Sequence, residues 1–195
     1  MNAVVDLVMR FLLKQNVIEN DEDSIAYCRY GIEITISSLF NVFLVLIIGV
    51  VFGYLLLSIL FLLIFINMRR YTGGYHASTY LGCNTALCVS YTILCVITKY
   101  IVDLSFGIIL FIAIILHVVS FGVIALYSPL ENENKPLTNE KKKINHYKSI
   151  IFAIVVFLIN LVLLYFRYVE SIIIALTVSL VAILMIIKIV KEGKA

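Results

Sequence analysis

The chain has 195 residues, 63% of them hydrophobic, with a mean hydropathy of +1.08 and a net charge of +3. Soluble domains are usually about 45–50% apolar, so this composition excludes an ordinary soluble enzyme and predicts an all-α polytopic membrane protein. The small net charge gives no reason to expect a nucleic-acid partner, and where the charges fall matters more than their sum.

Val4, Val5, Val8, Phe11 and Leu12 recur at helical spacing opposite Asp6, Arg10 and Lys14. This predicts an amphipathic interfacial helix over 1–20, followed by a transmembrane unit over 21–195. Those charges, and the lack of an apolar core of about 7–15 residues, argue against a removable signal peptide there. Asn20–Asp23 is an acidic turn suited to a helix start. From Gly31 to Asn67 the chain is apolar almost throughout. One helix of that length would reach about 54 Å, against a hydrocarbon core of about 30 Å. Two helices turning near Gly49–Gly53 are therefore expected, a single long tilted helix being the alternative.

Leu81–Tyr100 and Phe106–Tyr127 read as a third and fourth span, joined by a tight turn. Ser128–Ser149 is polar, with two prolines and the run Lys141-Lys142-Lys143. Ile150–Phe166 and Ser171–Ile187 complete six spans in three hairpins, with polar loops at 68–80 and 128–149. With the N-terminus in the cytosol, every Lys and Arg except Lys99 and Arg167 falls on the cytosolic side. The bias of basic residues toward the inside makes that the expected orientation in the plasma membrane, with both termini cytosolic.

The polar island between the second and third spans reads Arg69-Arg70-Tyr71-Thr72-Gly73-Gly74-Tyr75-His76-Ala77-Ser78-Thr79-Tyr80-Leu81-Gly82-Cys83. A thiol and an imidazole are the minimum parts of an activated nucleophile, and the cytosol keeps thiols reduced. Cys83 is the candidate nucleophile and His76 the candidate base. Cys88 and Cys95 share one helical face, turned about 120–140° from Cys83, and are expected to be structural, as is Cys28. No CxxC or Cys/His metal spacing appears, and the reading calls for no metal or cofactor. His117 is expected to bond between helices, His146 to sit in a solvated loop, and Asn41 and Asn67 to bond between helices.

Spacing imposes a condition. Seven residues apart on a straight helix means about 10.5 Å along the axis, and a helical His76 side chain leans away from Cys83. A dyad requires contact near about 3 Å, so the chain must break between Thr72 and Ser78, with Gly73-Gly74 supplying freedom. Pairing across a dimer is the other solution. Arg69 and Arg70 suit either topology and lipid anchoring or the grip of an acidic peptide. Glu33 orients His76, pairs with an arginine, or sits at the interface. The basic loop, with Lys135, either binds anions or is solvated.

The island resembles the core of the accessory gene regulator B (AgrB) family of membrane cysteine endopeptidases. The shared pattern is two basic residues, Gly-x-His-Ala and a Cys seven residues after the His: here Arg69-Arg70, Gly74-Tyr75-His76-Ala77 and Cys83. Tyr127-Ser128-Pro129 and Asn134-Lys135-Pro136-Leu137 before the lysine run extend the likeness. The resemblance implies a peptidase that cuts the C-terminal tail from a short quorum-sensing precursor peptide. Cys83 would form an acyl-thioester and His76 would activate the thiol; Arg69, Arg70, Gly74, Glu33 and Lys135 are the candidates for binding substrate or shaping the site. It also implies thiolactone closure and a homodimer in the bilayer. A small non-enzymatic peptide exporter or transporter is the alternative. A metal-dependent intramembrane protease would need an HExxH-like cluster, which the sequence lacks.

Overall fold

The computed structural model describes residues 2–15, 17–18, 21–75, 79–131, 137–191 and 193, with side chains omitted at 2, 3 and 80. Among the described residues seven α-helices follow one another: α1 (Asn2–Lys14), α2 (Glu22–Phe52), α3 (Leu55–Thr72), α4 (Tyr80–Ile101), α5 (Phe106–Tyr127), α6 (Asn139–Tyr165) and α7 (Ile172–Lys191), with a 3-10 turn at Val169–Ser171. Six of them, α2 to α7, are long and apolar enough to cross a membrane.

The apolar 31–67 run is two helices. Gly53, left-handed at φ 75°, closes α2 by donating its N–H to Gly49 and Val50 carbonyls, and α3 begins at Leu55. α2 starts earlier than its apolar run, because Asp21 caps it: the carboxylate accepts from the Ser24 N–H at 3.0 Å. That backbone bond holds the Asp21 carboxyl below its ordinary range. At 31 residues, α2 is about 46 Å long, so its charged end outreaches a hydrocarbon core of about 30 Å. α1 docks on this end through buried Val5 and Met9 and an Asp6–Arg29 ion pair of 2.9 Å. Val4, Leu7 and Phe11 stay exposed, an apolar face suited to the membrane interface.

α7 is the hub. Ile172, Ile173, Ile174, Ala175, Val178, Val181 and Met185 are buried, and α7 packs against α3, α4, α5 and α6. Without a hydrophobic drive between helices in lipid, close approach rests on small residues and interhelical hydrogen bonds. Ala113 of α5 and Ala175 of α7 are buried in one cluster, and the Ser120 and Ser179 hydroxyls bond at 3.0 Å. His117 of α5 bonds Asn160 of α6, Nε2 to Nδ2 at 3.1 Å, as expected of an interhelical histidine. At the far end of the bundle the Arg167 guanidinium lies 3.8 Å from the centroid of the Phe106 ring.

Three expectations change. α6 begins at Asn139, so the lysine run lies in a helix instead of an open loop: Thr138 caps it, accepting from the Lys141 N–H at 3.4 Å, and Glu140 sits in its first turn. Lys and Glu are good helix formers, so the helix extends beyond the apolar stretch. His146 is consequently half-buried in α6, with Nδ1 2.7 Å from the Ser128 carbonyl. A carbonyl only accepts, so Nδ1 carries the proton. Asn67 bonds within its own helix, donating to the Leu63 carbonyl at 2.8 Å.

Candidate functional site

α3 ends at Thr72 and α4 starts behind an N-cap at Thr79. The helix break that the sequence demands is therefore present, with Gly73–Tyr75 outside both helices. His76 itself, like Lys135, lies outside the described residues.

The strand of chain leading to His76 is held on all sides. Gly73 (φ 70°, ψ −153°) turns the chain out of α3, and Gly74 follows at φ 133°. The Leu130 N–H donates to the Thr72 carbonyl at 2.8 Å, fastening the segment after α5 against the end of α3. The Tyr75 N–H donates to the Leu184 carbonyl of α7 at 3.1 Å. The Tyr75 carbonyl accepts from Arg69 Nη2 at 2.6 Å. Lys191 of α7 stands 4.5 Å from the centroid of the Tyr75 ring and donates to its hydroxyl at 3.2 Å. The residue immediately before His76 is thus fixed through its N–H, its carbonyl and its ring. Buried Lys188 adds a tie from α7, donating to the Glu131 carbonyl.

Cys83 sits near the start of α4. Thr79, extended at φ −127° and ψ 148°, caps the helix by accepting the Gly82 N–H at 3.1 Å. The Cys83 N–H is committed to the Thr79 carbonyl at 3.0 Å, so it is not available to a substrate oxygen. The free thiol is half-exposed, as is that of Cys88, while Cys95 is buried in the core beside Tyr91. Cys28 is on α2, near the α1 junction. The Arg69 guanidinium lies 5.5 Å from the centroid of the Phe65 ring. Arg69 is thereby tied to the turn after α3 through the Tyr75 carbonyl.

The remaining sequence candidates separate. Arg70 is exposed. Gly74 is buried against α7, where an added Cβ would stand 3.8 Å from Arg69 Nη2 and from the Leu184 backbone. Glu33 takes one of its three expected roles: it accepts from Arg29 Nε at 3.3 Å, which also bridges Asp6. An apolar cavity of about 230 Å³ opens between α5, α6 and α7 beside His117 and Phe157, on helices other than the one carrying Cys83.

Sequence reasoning passed over Asn84, Ser37, Tyr75 and the end of α7. Asn84 and Ser37 carry a legible signal: Asn84 is an amide in an apolar span directly after Cys83, and Ser37 and Asn41 are spaced four apart on one face of α2. Nothing local marks the α7 contacts, which are tertiary.

The profile of the family "Accessory gene regulator B" matches residues 5–189. The chain is 28% identical over 148 residues to AgrB-like protein 2 of Clostridium perfringens strain 13, covering 73% of this chain and 68% of that one. It is 28% identical over 135 residues to an AgrB-like protein of C. perfringens strain SM101, covering 67% and 62%. It is 26% identical over 159 residues to the accessory gene regulator protein B of Staphylococcus aureus strain Newman, covering 82% and 80%. No solved structure matches the chain. With a profile that runs from α1 into α7 and six membrane spans in the described fold, this multi-pass membrane chain belongs to the accessory gene regulator B family.

Proposed function

We propose that the chain is a membrane cysteine endopeptidase that removes the C-terminal tail of a short quorum-sensing precursor peptide. What supports this reading is an incompletely buried Cys83 in the first turn of α4, together with a turn after α3 whose Tyr75 carbonyl is held by Arg69. The island opens on the cytosolic side, where the basic residues cluster. Cys83 sulfur attacks the scissile carbonyl carbon, and His76 takes the thiol proton. The C–N bond breaks, His76 returns the proton to the leaving amine, and the tail departs. The signal segment remains on Cys83 as a thioester. An internal cysteine of the precursor attacks that thioester, closing a thiolactone and restoring the Cys83 thiol. This second step exchanges one thioester for another, so it needs little driving force.

The tetrahedral oxygen needs donors. The Gly82 and Cys83 amides are engaged by Thr79, so the candidates are the amides of Tyr80 and Leu81, which have no partner within the helix. A side chain at Cys83 leans back toward that first turn, and the positive helix end favours developing negative charge. Arg69 adds a fixed cation. Two copies in the bilayer are part of the reading, since α2 keeps Leu39, Phe40 and Phe43 exposed on its outer face.

Co-expression with a doubly tagged precursor tests the reading. The expected result is a shortened precursor and a released tail only when the chain is present. An exporter would instead move uncut precursor out of the cell, and that outcome contradicts the proposal.

A further inference from the structure

The proposed chemistry leaves unused the buried polar cluster that adjoins Cys83 in sequence. Asn84, directly after Cys83, is only 8% exposed. Its Oδ1 accepts two hydrogen bonds from α2, from Ser37 Oγ at 2.9 Å and from Asn41 Nδ2 at 2.8 Å. The cluster has a built-in cost, because Asn41 Oδ1 is buried with no partner among the described residues. Buried unsatisfied groups are rare in native proteins, and each one needs a reason.

The reason lies in how α4 is held. Across 79–90, Asn84 is the one buried side chain among those described: Leu81, Thr85, Ala86 and Val89 are exposed, and Gly82, Cys83, Leu87, Cys88 and Ser90 only partly covered. Apolar packing grips α4 from Leu87 onward, through partly buried Leu87 and buried Tyr91, Leu94 and Cys95. Ahead of that packing, in the turns that carry the thiol, the side-chain hydrogen bonds from α4 to α2 among the described residues are the two accepted by the Asn84 amide oxygen. Adjacent helical residues are about 100° apart around the axis, so fixing the rotation of Asn84 fixes the direction of Cys83.

We propose that Asn84 is the positioning residue of Cys83: Ser37 and Asn41 clamp its side chain and hold the first turns of α4 at the rotation that aims the thiol at the substrate carbonyl. The inference rests on the peptidase reading for its consequence but not for its geometry. Misplacing a reacting group by about 1 Å costs on the order of a hundredfold in rate.

Two readouts on full-length protein in nanodiscs test it. In a background with Cys28, Cys88 and Cys95 changed to serine, Asn84→Leu is expected to change the rate of Cys83 alkylation by a maleimide at least about threefold. In tail release, Asn84→Leu is expected to lower kcat by about ten- to a hundredfold with KM little changed. Ser37→Ala is expected to show a smaller loss, with Ser37→Thr restoring the rate because it keeps the hydroxyl donor. Wild-type kcat and alkylation in both Asn84→Leu and Ser37→Ala overturn the proposal. So does activity that falls only in proportion to folded protein. If Asn84→Leu does not fold, the contrast between Ser37→Ala and Ser37→Thr decides. If the wild type cleaves no precursor, the peptidase reading fails, and the alkylation rates alone judge the clamp.

Discussion

Replacing Cys83 by serine is expected to abolish tail release, by about 10³-fold or more, while Cys88→Ser stays within about twofold of wild type. A serine hydroxyl at that position is far less nucleophilic than a thiol, and a dyad loses nearly all its rate when either member goes. Cys88 cannot take over. It lies about 7.5 Å further along α4 and about 140° around it. Cys95 is buried in the core. His76→Ala is expected to lose as much as Cys83→Ser, and the double variant little more, because the two act as one unit. Precursor mobility on a gel, with the variants matched for membrane content, reads all of these. Processing by Cys83→Ser at the wild-type rate would sink the assignment.

The second large effect is expected at a glycine. Gly73→Ala should remove activity and lower thermal stability together, whereas Gly74→Ala should be milder. At Gly73, φ 70° with ψ −153° is a combination essentially reserved for glycine. An added Cβ there would stand 2.2 Å from the Leu130 carbonyl oxygen and 3.1 Å from its carbon. Those are backbone atoms, already drawn in by the bond from the Leu130 N–H to the Thr72 carbonyl, so no side-chain rotation relieves the clash. Strain of about 1–3 kcal/mol adds to the cost of moving the whole segment. At Gly74 the same Cβ would meet only ordinary contacts at 3.8 Å, leaving the φ of 133° as its one penalty. Unfolding in detergent followed alongside cleavage separates the two. A Gly74→Ala protein less stable than Gly73→Ala would contradict this account of the turn.

The framework was legible in the sequence wherever one local signal decided. Apolar length against bilayer thickness split 31–67 into α2 and α3, and the turn fell at Gly53. The Phe106–Tyr127 span matches α5, since nothing amphipathic blurs its ends. The fifth span was read too short: hydropathy detects where lipid begins, whereas a capped run of Lys and Glu continues the helix past it. The site was legible in its chemistry and not in its supports. The Gly-Gly turn follows from residue types, and the break between α3 and α4 follows from the reach that a Cys83–His76 pairing would require. The contacts that hold the turn, Tyr75 to Leu184 and Lys191, join segments more than a hundred residues apart. No periodicity carries that information. Arg69 was read as an anchor or a substrate grip, and its bond to the Tyr75 carbonyl emerges only once α3 has ended and the chain has turned back.

The acyl-thioester is the central claim, and intact mass measures it most directly. Purified protein in nanodiscs is incubated with a precursor whose internal cysteine is replaced by serine, so that the thiolactone step stalls, and is then quenched in acid. The expected result is a mass increase equal to the signal segment, mapped by proteolysis to the peptide containing Cys83, absent in Cys83→Ser and removed by neutral hydroxylamine. Tail release with no adduct on Cys83, or an adduct that persists in Cys83→Ser, would contradict it.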